Sequence, residues 1–217
     1  MKVWDSYIRF YHWLQVGLII GCWWTAEEGY MEWHLTLAAG LIGLWVSRII
    51  WGFIGSETAR FSKFVKGPAS VFQFAGALLA GKIPHQVGHN PVGALMVVAL
   101  LLLIAVQWFT GLFTSDDIFI EGPLYSMVSD DFASLMGQIH HLNFDLIVIL
   151  VVVHVLAVVL HQFKGEKIVG AMITGKRADL AGEPSLVNPK MANSLTAWII
   201  AILVGFGCWW WIADGFQ

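Results

Sequence analysis

The sequence predicts an all-α integral membrane protein that crosses the bilayer with five helices. Three observations carry that reading. Apolar residues make up 58% of the 217 and charged residues only 12%, about half the roughly 25% of a soluble domain, and the mean hydropathy is +0.70. A chain of this size cannot bury so much apolar surface in a water-facing fold, so lipid is part of its solvent. Five apolar runs, near 9–26, 34–54, 91–113, 140–163 and 195–213, are each long enough to span about 30 Å of hydrocarbon at 1.5 Å per residue. All twelve Lys and Arg fall in the N-terminus, in 48–82 and in 164–190, which are alternate sides of a five-span chain. Disorder, nucleic-acid binding and a disulfide scaffold are excluded together. Cys22 and Cys208 both lie in apolar runs, so there is no CxxC and no CxxCH for covalent haem.

Taken in order, the first run follows Lys2 and Arg9 as a secretory signal would. No small-residue cleavage site follows Trp23-Trp24, and the run reads as a retained helix. The side without cations holds Glu27, Glu28, Glu32, Asp116, Asp117, Glu121, Asp130, Asp131 and Asp214. By the positive-inside rule the N-terminus is cytoplasmic and the C-terminus outside, which in a bacterial inner membrane is the periplasm. Trp23, Trp24, Trp33, Trp108 and Trp209-Trp210-Trp211 fall near the outer interface, where amphipathic rings settle. In 55–88, Phe61, Phe64, Val65, Phe72 and Phe74 interleave with Arg60, Lys63 and Lys66, the pattern of a cytoplasmic amphipathic segment in the headgroup plane. Asn90-Pro91 reads as N-cap and first residue of the third span. Residues 166–217 are a polar cytoplasmic connection followed by the fifth span.

Eight histidines are many for so apolar a chain: His12, His34, His85, His89, His140, His141, His154 and His161. A strongly polar side chain within a span is costly unless partnered, which makes it a functional candidate, although a single one often serves only as an interhelical hydrogen bond. His140 and His154 are 14 residues apart, just under four turns, so they share a face at levels roughly 21 Å apart. Such a pair cannot grip one ion, but it can hold two large cofactors stacked across the membrane. With the N-terminus inside, His12 enters the first span near the level of His154, and His34 opens the second near that of His140. Two cross-helix pairs result, His12 with His154 and His34 with His140, and bis-imidazole ligation of haem iron uses such pairs. His141 is the alternative to His140, turned about 100° away. His161 lies one heptad beyond His154, and His89 sits at the cytoplasmic mouth of the third span; each suits a propionate, a quinone or a proton path. His85 reads as a solvated loop residue. Arg48, 14 residues from His34, and Arg9, three before His12, are candidate propionate partners. Gly17, Gly21, Gly40, Gly43 and Gly111 leave room for a flat macrocycle or for close helix contact.

Val3-Trp4-Asp5 with Arg9 and His12-Trp13, His34 with Gly40 and Arg48, Trp51-Gly52-Phe53, Ala59-Arg60-Phe61, Gly88-His89-Asn90-Pro91 with Gly93, and the His140/His154 pair resemble the bacterial cytochrome b561 family. That family includes the b-type cytochrome subunits of membrane nickel–iron hydrogenases. The resemblance, over about residues 3–165, implies a four-helix haem-binding transmembrane bundle; the fifth, C-terminal transmembrane helix, which has no His, departs from it and packs peripherally or binds a partner. The resemblance also implies two haem b groups, exchange of electrons with a membrane quinone, and the cytoplasmic (inner) membrane of a bacterium. Its axial-ligand positions match His12, His34, His140 and His154, the same four that spacing selects. Relatives often carry an acidic residue where His141 stands, and smaller members end after four spans.

The leading expectation is transmembrane electron transfer between quinone and a periplasmic redox protein, a c-type cytochrome or a catalytic subunit such as a hydrogenase. Nine carboxylates and no cation on the outer side call for a basic docking face on that partner. A homodimer is left open. A superoxide:quinone oxidoreductase is the second reading, and an acidic outer face repels that anion. A haem-free proton-relay transporter and a membrane anchor subunit are readings of another class; the first is weakened by the lack of an inverted repeat.

Overall fold

The computed structural model describes residues 1–81, 86–116, 120–180 and 187–214, leaving aside the side chains of 213 and 214. Lys82, His85, Asp117 and the side chain of Asp214, which figured in the charge and histidine patterns, lie outside the described residues. The regular structure is helical: α1 Ser6–Glu27, α2 Met31–Ile54, α3 Phe61–Phe64, α4 Pro68–Leu79, α5 Pro91–Gly111, α6 Asp130–Phe163, α7 Ile168–Thr174 and α8 Leu195–Asp214. Among the described residues four helices are long and apolar enough to cross a membrane: Met31–Ile54, Pro91–Gly111, Asp130–Phe163 and Leu195–Ile212. The first predicted span coincides with α1, which matches them in length but interrupts its apolar run with Arg9, His12, Gln15 and Thr25.

Local chemistry sets the helix ends. The Asn90 side chain accepts the Gly93 amide at 2.7 Å, the expected N-cap with Pro91 as first residue. Asp5 does the same for α1, accepting the Ile8 amide at 2.8 Å. α6 starts at Asp130, well before the predicted span at 140. Hydropathy could not reveal the added turns, because 130–139 is too polar for a span. The signal lies in the acidic first turn, Asp130-Asp131, which suits the helix dipole, and in Ser129, whose Oγ accepts the Phe132 amide at 3.4 Å. The 55–88 segment folds into α3 and α4, with Phe64 and Phe74 buried and Phe72 and Leu79 exposed.

The chain divides into two compact units, to which α1, α2, α5, α6 and α8 all contribute residues. One comprises 1–10, 48–99 and 152–198. Every Lys and Arg of the sequence belongs to it, with five carboxylates. Its core is aromatic and organised around Asp5. The Asp5 Oδ2 accepts the Trp51 indole N–H at 3.0 Å, and Trp51 and Trp198 stand edge-on to Tyr7 at 5.7 and 5.3 Å. Thr58 donates to the Val3 carbonyl at 2.6 Å, and only a residue without Cβ at 52 leaves space for the Phe61 ring. The motifs behind the family resemblance thus meet here: Val3 on Thr58, Trp4 on His89, Asp5 on Trp51, Gly52 on Phe61.

The same unit ties down the N-terminus. The Val3 and Trp4 amides donate to the Gly175 carbonyl at 2.8 and 3.2 Å, and Met1 and Arg177 exchange backbone hydrogen bonds. Gly175 has φ of 81°, and a Cβ there would meet the Trp4 carbonyl at 2.8 Å, so glycine is required. Arg177 is buried and donates to Glu166 at 3.0 Å and from Nε to Asp179 at 2.8 Å, while the second oxygen of Glu166 bonds the His161 imidazole. The Arg177 guanidinium holds the Asp179 carboxyl below its usual range. Burial alone would lower the Arg177 pKa, but its two carboxylate partners raise it on balance.

The other unit comprises 11–47, 100–151 and 199–217, with ten carboxylates and no Lys or Arg. The α8 segment packs on α2 here. A Cβ on Gly43 would stand 2.5 Å from the Gly205 Cα, and Leu35, Ala39 and Ile212 form an apolar cluster with Cys208 against it. The α8 helix is therefore fitted backbone-to-backbone, the close approach that glycine permits between membrane helices. The acidic positions Glu27, Glu28, Glu32, Glu121, Asp130 and Asp131 are exposed. The indole nitrogen of Trp108 is buried and its ring packs on Trp45 at 5.6 Å, against the cluster of Leu41, Ile104 and Ile147.

Two expectations follow. Gly43→Leu overpacks the α2–α8 contact and lowers stability by about 1–3 kcal/mol, read as earlier thermal unfolding in detergent, with Gly17→Leu, where a Cβ meets nothing within 4 Å, as the control. Because the Asp179 pKa is depressed in the folded chain, its stabilisation is complete above the ordinary carboxylate pKa and is lost as pH falls through the folded value. Amide exchange at Val3 and Trp4 should therefore accelerate below about pH 4, and Asp179→Asn should bring fast exchange to neutral pH.

Candidate functional site

His34 sits in the first turn of α2 and His140 on α6, both half-buried, with ring centroids 6.4 Å apart and planes inclined at 65°. Neither ring is free to turn. His34 Nδ1 lies 2.8 Å from the Cys22 carbonyl, so it carries the hydrogen and donates. His140 Nδ1 lies 3.1 Å from Thr110 Oγ1. The Thr110 hydroxyl hydrogen is directed at the Val106 carbonyl, 2.8 Å away, so again the imidazole donates. Both histidines are thereby assigned the tautomer that keeps a lone pair on Nε2, the second-partner arrangement that orients metal-binding imidazoles. Gly111 makes the site possible on α5: a Cβ there would come within 3.1 Å of the His140 ring.

The separation suits one metal ion between the rings. Two imidazoles on opposite faces of a first-row metal, each nitrogen about 2.0 Å from it, stand with centroids roughly 6.3 Å apart. The donor set, two neutral imidazoles in an otherwise apolar region, fits haem iron. His141 is exposed, with its ring perpendicular to that of His140 at 6.2 Å and off the face that meets His34.

The remaining predicted residues are placed as follows. On α6 the less exposed stripe runs through His140, Asn143, Ile147, Leu150, His154, Val158 and His161, so the two widely spaced histidines do share a face. His12 is half-buried on α1, edge-on to Trp13 at 4.9 Å. His89 stands between the rings of Trp4 and Phe64, at 4.7 and 4.8 Å. It edges a cavity of about 280 Å³ that Lys63, Lys66 and Asn188 also line. His161 bonds Glu166. Arg48 is buried, its guanidinium 5.2 Å over the Phe61 ring. Arg9 spends two donors on backbone, the Ile173 carbonyl at 2.6 Å and the Asp5 carbonyl at 3.3 Å.

Sequence spacing missed Thr110, 30 residues from His140, the Cys22 carbonyl, which acts on His34 through backbone, and Glu166, whose carboxylate meets His161 five residues before it. It also missed a polar pair inside the unit: Asn143 Nδ2 donates to Gln107 Oε1 at 2.6 Å and to the Leu103 carbonyl at 2.9 Å. Only Thr110-Gly111, a small and a hydroxylated residue together at a helix end, gave any local signal.

Replacing His140 with Ala should abolish the low-spin absorption of whatever iron centre this pair holds, and His141→Ala should retain it, as read in reduced-minus-oxidised spectra. Thr110→Val should keep the centre but weaken its retention about 10–100-fold, the usual cost of losing a partner behind a metal-binding ligand.

A family model described as prokaryotic cytochrome b561 matches residues 3–175. No curated protein and no solved structure matches the chain.

Proposed function

The chain belongs to the prokaryotic cytochrome b561 family, whose members move electrons across membranes through b-type haem, and from that premise we propose that this one does so through two haems, between a membrane quinone and a periplasmic redox protein. The observation that carries the proposal is the His34–His140 pair, with its 6.4 Å centroid spacing and both Nδ1 atoms hydrogen-bonded. A b haem held by these histidines would supply a one-electron iron couple for electron transfer.

The work of this chain's residues is to hold, orient and insulate. His34 and His140 would hold the outer haem and His12 and His154 the inner one, with α6 supplying a histidine to each. Five helices span the membrane in this reading, α1 among them, with the N-terminus cytoplasmic. Arg48, buried and charged, is the candidate partner for a propionate of the inner haem. In this reading His89, which lines a cavity, and the hydrogen-bonded His161–Glu166 pair would exchange protons with a quinone at the cytoplasmic end. The unit that carries the His34–His140 pair bears ten carboxylates and no Lys or Arg, which suits a partner with a basic face. Rim charges of this kind act mainly on association rate, so electron exchange with such a partner slows as salt rises.

A pyridine haemochrome assay on detergent-purified protein tests the reading. About two b haems per chain with low-spin bands is the expected result. One haem would remove the two-pair arrangement, and none would remove electron transfer as the function.

A further inference from the structure

The end of α1 and the start of α2 are joined by a tight connection that leaves a notch walled by aromatic rings. Gly29, with φ of 73°, reverses the chain. The Tyr30 amide donates to the Thr25 carbonyl at 2.8 Å, and the Tyr30 carbonyl accepts the His34 amide at 3.0 Å. The His34 imidazole closes the same connection on the Cys22 carbonyl. Trp33 and Leu37 are four residues apart on α2 and share a face. Between Trp24 and Thr25 on one side and Tyr30, Trp33 and Leu37 on the other lies a cavity of about 290 Å³.

The walls of this notch are largely apolar, and the Thr25 hydroxyl donates to the Gly21 carbonyl of its own helix at 2.7 Å. The Trp24 and Tyr30 rings stand 5.7 Å apart with planes inclined at 54°, so they form a corner rather than a stack. Trp24, Tyr30 and Trp33 are all exposed. Glu27, Glu28 and Glu32, each within four residues of one of these rings, are exposed too. The unit to which they belong holds no Lys or Arg. A ring face attracts positive charge, and carboxylates nearby concentrate it, so the pattern is that of a cation site.

Two carriers of such a cation meet a membrane protein, and the charges choose between them. A zwitterionic lipid brings its ammonium tied to a phosphate. The unit has no Lys or Arg to receive that phosphate, and the three carboxylates repel it. A basic side chain brings positive charge alone, on an apolar stem that suits aromatic walls. We infer that the notch between Trp24, Tyr30 and Trp33 receives a lysine or arginine side chain of the redox partner protein. The inference rests on the basic-faced partner proposed above and names where that face is gripped. Because the connection that shapes the notch also holds the His34 amide and imidazole, a side chain seated there brings the partner against the segment that carries His34.

The test is fluorine NMR of the full chain, labelled with fluorotryptophan and held in lipid nanodiscs. Trp24→Phe and Trp33→Phe identify the two resonances. The probes are the blocked tripeptide Gly-Lys-Gly and its norleucine counterpart, which keeps the stem and lacks the ammonium, titrated at constant ionic strength. The expected result is a saturable shift of both resonances with the lysine peptide and none with the norleucine peptide. Tyr30→Leu should weaken that binding about 3–30-fold, the worth of one cation–π contact. Equal shifts with both peptides would make the notch an apolar groove, and no saturable shift would leave the rings as an interfacial belt; either overturns the inference. The titration in the unsubstituted protein stands even where a variant fails to fold. It is run in phosphatidylglycerol and again with phosphatidylethanolamine added. If the added lipid itself moves the two resonances and the lysine peptide no longer does, the occupant is a lipid headgroup, which also overturns the inference. The readout needs no haem, so an absent haem with the lysine shift intact overturns the electron-transfer reading and leaves the cation site standing, and the converse overturns the site alone.

Discussion

A polar group in the interior of this chain cannot turn to water, so each must be answered by another protein group or by a ligand. That constraint explains why the structure is tied together where it is. Asp5 is buried because it serves two donors at once, the Ile8 amide and the Trp51 indole. Glu166 is buried because one oxygen meets Arg177 and the other His161. The Asn143 and Gln107 amides lie between α6 and α5 and satisfy each other. In a soluble protein such groups could be displaced to the surface at small cost; here each partner fixes a helix rotation and a depth. The two histidines of the site obey the same rule from one nitrogen only, which is what leaves the other available for iron.

Much of this arrangement was legible in the residues alone, for identifiable reasons. A span announces itself through length and composition, so α2, α5, α6 and α8 begin or end within a few residues of the apolar runs, apart from the early start of α6. Helical spacing is a local property, so His140 and His154 were placed on one face correctly. The facing of His34 and His140 was accessible too, because alternating topology sets depth. What spacing could not supply is contact between distant segments. Nothing near Gly43 says that Gly205, 162 positions later, will lie against it, and nothing near Met1 says that it will exchange hydrogen bonds with Arg177. Likewise, nothing in the sequence around Trp108 says that its ring will pack on Trp45.

The charge pattern carries more than orientation. All the cations fall in one compact unit and two thirds of the carboxylates in the other, although both units are assembled from three separated stretches of chain. Each helix that contributes to both therefore changes the character of its flanking residues partway along the sequence. For an electron carrier this division provides two different surfaces on a small scaffold. One carries all the Lys and Arg, and the other carries carboxylates without a cation.

The hydrogen bonds from Val3 and Trp4 to Gly175 have a consequence for how the chain is partitioned. The family match begins at residue 3 and stops at residue 175, and those two residues are bonded to each other at 2.8 Å. The matched region is therefore a ring closed by main-chain contacts, with its entry and exit side by side. A chain built this way can accept a lengthened, shortened or rewritten tail after Gly175 without rethreading anything that precedes it, since the junction is already sealed. The α8 helix follows that junction, and Trp198 against Tyr7 and Phe10, and Gly205 against Gly43, are the contacts that hold it.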